Sequence, residues 1–72
     1  MQINSELIEF GKHVKSLRKS KRLTLTGLCY KNGLEPSTIS RIEKGLVEPK
    51  LLTIMKLANA LEVDFNTLLG GK

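Results

Sequence analysis

A chain with one cysteine, Cys29, and one histidine, His13, has few means of covalent chemistry. Cys29 has no partner for an internal disulfide, and His13 has no second nitrogen ligand with which to hold a metal. Glu43 has no second carboxylate or nucleophile near it in sequence, and no nucleophile, base or metal grouping appears, so catalysis, a metal and a cofactor are all excluded as expectations. What remains is electrostatics and hydrogen bonding. Residues 12 to 50 hold ten Lys or Arg against Glu35, Glu43 and Glu48, a net of +7, whereas residues 1 to 11 carry −2 and residues 51 to 72 sum to zero. Such an excess concentrates a polyanion by Coulomb attraction and counterion release, with a merely solubilising surface as the alternative. Inside the basic stretch, Ser37, Thr38, Ser40, Arg41 and Lys44 gather hydroxyls and cations within eight residues.

Those groups need elements to position them. Ser5 can cap a first helix over about Glu6 to Lys21, in which Leu7, Phe10, Val14 and Leu17 recur at helical spacing. Gly11 interrupts that pattern at a cost of roughly 1 kcal/mol relative to alanine, which points to close packing. Thr24 is a second N-cap, and a short helix runs through Leu28 and Cys29 towards Gly33, a natural left-handed stop. Pro36 suits the first position of a third helix, about Glu35 to Lys44, because it lacks the amide hydrogen that would be unpaired there. That helix carries Ile39 and Ile42 inward, leaves Ser37, Thr38, Ser40, Arg41 and Lys44 outward, and ends at Gly45. Leu51, Ile54, Met55, Leu57, Ala58 and Leu61 define an apolar fourth helix. Asp64 can cap a last turn containing Phe65, Leu68 and Leu69, with the end from Gly70 to Lys72 expected to fray.

Length and composition agree with this outline. The 72 residues carry no second composition block, no repeat and no strand pattern, which predicts one domain over residues 1 to 72. Phe10, Tyr30 and Phe65 are the only aromatics, so the core must be aliphatic and helical. No apolar run approaches the roughly 20 residues that span a bilayer, and Met1-Gln2-Ile3-Asn4 lacks the blocks of a signal peptide, so no membrane partner and a bacterial-type cytoplasm are expected. Cys29 reads as a small packing residue, His13 as a surface residue and Tyr30 as an exposed helix position.

Two short helices joined by a tight turn at about residues 24 to 44, the second outwardly polar in basic surroundings, match the unit that presents a helix to DNA. The sequence resembles the Cro/CI-type (XRE) helix-turn-helix family from Phe10-Gly11 to Leu68-Leu69. Its most specific stretch is Ser37-Thr38-Ile39-Ser40-Arg41-Ile42-Glu43-Lys44-Gly45 followed by Pro49. Supporting matches include Leu17-Arg18, Leu23-Thr24, Gly33-Leu34, Leu57-Ala58 and Ala60-Leu61.

The resemblance implies an all-α, five-helix fold of the lambda-repressor-like type, with Arg18 and Glu43 as a largely buried architectural ion pair. Its base-contacting positions fall on Pro36, Ser37, Thr38, Ser40 and Arg41. Arg41 can bond guanine O6 and N7 together, although its fork suits a phosphate as well. Phosphate-contacting positions fall on Thr24, Thr26, Lys44 and, more weakly, Lys31. Several residues depart from the family's pattern. Leu25 stands where glutamine is frequent and Pro36 where a polar side chain is common, so direct readout is expected to be sparse. Asn32 replaces an apolar residue and Glu62 a glycine, and strain or fraying is expected there.

Leu46, Val47 and Leu52 stand where related proteins often show polar or basic residues, and three solvent-facing apolar side chains would form a binding patch. Two readings stay open: a homodimer contact, or Leu52 tucked into the core under the loop. The expected function is a sequence-specific DNA-binding transcriptional regulator, a homodimeric repressor or autoregulator on a palindromic operator, with double-stranded DNA as partner. A small controller of a restriction-modification system or mobile element fits by analogy. The alternative is an antitoxin-type or other interaction module whose main partner is a protein bound through Leu46, Val47 and Leu52.

Overall fold

A computed structural model describes residues 5–30 and 32–70. The expectations for Met1 to Asn4, for Lys31 and for the end at Gly71 and Lys72 lie outside the described residues. Among the described residues there are five helices: α1 (Ser5–Ser20), α2 (Leu25–Cys29), α3 (Pro36–Glu43), α4 (Leu51–Leu61) and α5 (Phe65–Leu68). The architecture is the all-helical five-helix one that the sequence predicts.

The core is aliphatic. Val14 from α1, Leu28 from α2, Ile39 and Ile42 from α3, Leu57 and Leu61 from α4, and Leu68 from α5 are buried essentially completely, so every helix contributes to one cluster. Helices of five and four residues are too short to persist alone; burial of an apolar face against neighbours is what holds them. None of the described helices is long and apolar enough to cross a membrane.

Where the structure departs from expectation, the cause is local. Ser5 is itself the first helical residue described rather than a cap. α2 stops at Cys29 instead of running to Gly33, although Gly33 does adopt φ +67° inside the turn after it. Leu51 and Met55, read as core positions, are 64% and 53% exposed, because α4 buries only the stripe through Leu57, Ala58 and Leu61. Phe65 likewise lies on the surface. His13 is half-buried rather than a surface group, and its Nε2 lies 2.6 Å from the Thr67 carbonyl oxygen, linking α1 to α5.

The caps reflect side-chain chemistry. Thr24 Oγ1 accepts from the Gly27 amide at 2.9 Å, and Asp64 accepts from the Thr67 amide at 2.6 Å. Glu62 ends α4 at φ 58°, a left-handed conformation that costs an L side chain energy and that glycine would adopt freely.

Candidate nucleic-acid interface

α3 has two faces that do different work. Ile39 and Ile42 point inward, and Glu43 joins them at its C-terminal end. Pro36, Ser37, Arg41 and Lys44 are exposed, with Thr38 and Ser40 half-buried on the flanks. The structure therefore brings Ser37, Thr38, Ser40 and Arg41 onto one outer surface. Pro36 occupies the first turn, and Glu35 makes no side-chain cap to the backbone. Its carboxylate instead accepts from Thr38 Oγ1 at 3.4 Å, a long contact that keeps the Thr38 hydroxyl close to the helix start.

The C-terminal half of α3 is held rigidly from behind. Arg18 Nε donates to Glu43 Oε2 at 2.8 Å and Nη2 donates to Oε1 at 3.1 Å, a two-pronged pair of which both side chains are about nine-tenths buried. The third prong, Nη1, donates to the Leu23 carbonyl at 2.7 Å, so one guanidinium ties α1, the loop before α2 and α3 together. The hydrogen bond to Glu43 holds the guanidinium's pKa above its ordinary value against the opposing effect of burial. Removing either partner leaves an uncompensated buried charge, a loss of about 3 to 5 kcal/mol.

Gly11 explains how α1 can come so near. A Cβ at that position would fall on the Ile42 carbonyl oxygen and lie 2.6 Å from that of Glu43. Glycine is thus required by contact rather than by backbone conformation. At Gly45, φ is +74° and a Cβ would meet Ile8 Cγ1 at 2.8 Å, so the stop of α3 and its packing on α1 share one residue.

On α2, Thr24 and Thr26 are exposed at the helix start, with the Thr24 oxygen engaged by Gly27. Leu25 is half-buried against the core, which accounts for an apolar residue there. Buried among these elements, Cys29 has its thiol pKa pushed up, first by burial and then by the Glu43 carboxylate. It fills the small space expected of it.

Sequence reasoning passed over Lys50 and Thr53. Together with Thr38, Arg41 and Glu48 they line a groove of about 330 Å³ between the outer side of α3 and the start of α4. Arg41 thus shares a groove with a second cation, and the sequence separation of Lys50 from α3 conceals this. The available signal was Pro49-Lys50 immediately before an apolar helix.

The exposed apolar side chains are in part others than the sequence predicts. Leu46 and Leu52 are 68% and 60% exposed, so Leu52 does not tuck into the core. Val47, by contrast, is half-buried and packs against the core, while Leu51 and Met55 on α4 are exposed beside Leu52.

Comparison with known proteins is consistent along most of the chain. The profile of the family Helix-turn-helix, HTH_3, matches residues 14–68. The HTH-type transcriptional repressor RghR of Bacillus subtilis is 39% identical over 61 residues, which cover 83% of this chain and 45% of RghR. A second B. subtilis protein, the uncharacterised HTH-type transcriptional regulator RghRB, is also 39% identical over 61 residues, covering 83% and 44%. The chain spans about half the length of the curated relatives it matches. Among solved structures, the restriction-modification controller protein C.AhdI from Aeromonas hydrophila superposes with a TM-score of 0.86 at 32% identity, covering 90% of this chain and 98% of that one. The competence regulator ComR from Streptococcus vestibularis, in its apo form, gives 0.84 at 26% identity over 90% of this chain and 22% of ComR.

Proposed function

The chain belongs to the HTH_3 helix-turn-helix family, of the Cro/CI or XRE type, and from that premise we propose that it binds double-stranded DNA as a transcriptional regulator. The observation that carries this reading is the split of α3 into a braced inner face and a free polar outer face. A helix so held can enter the major groove without having to order itself first.

On this reading residues 1 to 72 act as one DNA-binding unit at the bacterial chromosome, reading through residues 24 to 44. Arg41 supplies the main base contact, to a guanine, and Ser37, Thr38 and Ser40 add hydroxyl and methyl contacts. Lys44, Thr24, Thr26 and Lys31 engage phosphates, and Lys50 extends the positive track beside Arg41. Two copies joined through Leu46, Leu51, Leu52 and Met55 set their α3 helices about one DNA turn, roughly 34 Å, apart on a palindromic operator. Occupancy of the operator then represses the promoter, the protein's own included.

Selection of bound sequences from a random DNA pool tests the reading, with two variants as controls. Arg41→Ala is expected to relax preference at one base pair per half-site by about 1 to 3 kcal/mol. Lys44→Ala is expected to weaken all sequences alike and to lower the salt slope by about one. Operator binding that survives both changes intact overturns the contact assignment.

A second reading draws on the same exposed apolar side chains: an antitoxin-type module whose main partner is another protein docked at Leu46 and Leu52. Mass in solution with and without the product of a neighbouring gene separates the two. A clean dimer supports the first, and a stable hetero-complex the second.

A further inference from the structure

We infer that Asn32 is a positioning residue that aims the N-terminal half of α3, an inference that rests on the DNA-binding reading above for its functional consequence. Tyr30 caps α2 at φ −63° and ψ 129°, so the backbone is extended at the cap, and helix carbonyls at such an end need donors from outside the helix. Asn32 supplies three such donors. Its Nδ2 donates to the Leu28 carbonyl at 2.7 Å and to the Tyr30 carbonyl at 3.1 Å, while its own amide donates to the Cys29 carbonyl at 3.1 Å. One side chain, where the family's pattern has an apolar residue, therefore folds the turn back onto the end of α2.

The path of the next residues depends on that fold. Gly33 takes φ +67°, and Lys56 of α4 reaches its carbonyl at 3.4 Å. Leu34 then packs against the core, and Glu35 accepts the first α3 backbone bond from the Ile39 amide at 3.1 Å. The other end of α3 is fixed separately, by Glu43 on Arg18 and by the close approach of Gly11. α3 is accordingly held at two points of different chemistry, and Asn32 governs the one beside Ser37 and Thr38.

Asn32→Asp keeps the shape, removes both donors and sets a carboxylate against two carbonyl oxygens. Amide hydrogen exchange of the free protein is expected to quicken about tenfold at Ile39, the size of one lost hydrogen bond, and to stay unchanged at Lys44 and Leu46. With base-substituted operators, discrimination is expected to fall at the positions read from Ser37 and Thr38 and to persist at the position read by Arg41. Equal change at both ends of α3, or none at Ile39, overturns the inference. Asn32→Ala, which removes the donors without adding charge, gives the same pattern and serves if the aspartate variant does not fold. If the unaltered protein shows no sequence preference, the DNA-binding reading fails, while the exchange comparison still decides the role of Asn32.

Discussion

Asp64 shows how a single side chain carries a pH signature. Hydrogen bonds from Thr67, its hydroxyl first and its backbone amide second, hold the carboxyl below its ordinary value of 3.8. The folded chain thus favours the ionised form. Its stabilising contribution is complete above that ordinary value and disappears as pH falls through the lower folded value. Asp64→Asn retains an acceptor for the cap but cannot titrate, so a plot of melting temperature from about pH 5 down to about pH 2 is expected to fall less steeply for the variant. Identical slopes would show that α5 does not depend on this charge. The cap was readable from sequence because an aspartate before a short apolar run has few other tasks. The Arg18–Glu43 pair came from the family resemblance, since a separation of 25 residues has no local signal. The link from His13 to Thr67 was illegible for the same reason, and a lone histidine on a charged helix reads as a surface group.

At the level of elements, most boundaries came from punctuation by Thr24, Pro36, Gly45 and Asp64, each of which changes what the backbone can do. The misreadings arose where a tertiary contact replaced a local rule. The sequence extends α2 towards Gly33 because glycine is the usual stop, whereas the helix ends four residues earlier, at Cys29, where the Asn32 side chain bonds to the Leu28 carbonyl. The sequence makes Leu51, Ile54, Met55, Leu57, Ala58 and Leu61 the apolar positions of α4, and packing buries only Leu57, Ala58 and Leu61. Glu62 stands where the family's pattern has glycine, and its φ of 58° gives that departure a physical cost. Glu62→Gly is therefore expected to stabilise the fold by about 1 kcal/mol, the relief of left-handed strain outweighing the added freedom of the unfolded chain. Thermal denaturation monitored by circular dichroism measures it. A lower melting temperature would mean that the Glu62 side chain has a stabilising role beyond its backbone geometry.

The molecule as a whole exposes more aliphatic surface on α4 than its small core leaves one to expect. Leu51, Leu52 and Met55 are all more than half exposed and adjoin one another on successive turns. On the proposed reading this is the dimer face. Leu51→Lys with Leu52→Lys is expected to leave the helical content intact and to raise the dimer dissociation constant at least about tenfold, measured by sedimentation equilibrium. An unaltered mass distribution places the contact elsewhere. The sequence points to exposed apolar side chains at Leu46, Val47 and Leu52 but cannot say which side of α4 is left uncovered, since that depends on the angle at which α4 meets α2 and α5. The brevity of α3 has a last consequence. Eight residues are below the length at which a helix survives by itself, so the reading surface exists only while the entire chain is folded. A ligand that binds this surface consequently holds the whole chain shut against proteases. Under the proposed function, copies resting on an operator outlast idle ones, and the number of vacant sites helps to set how quickly the regulator is turned over.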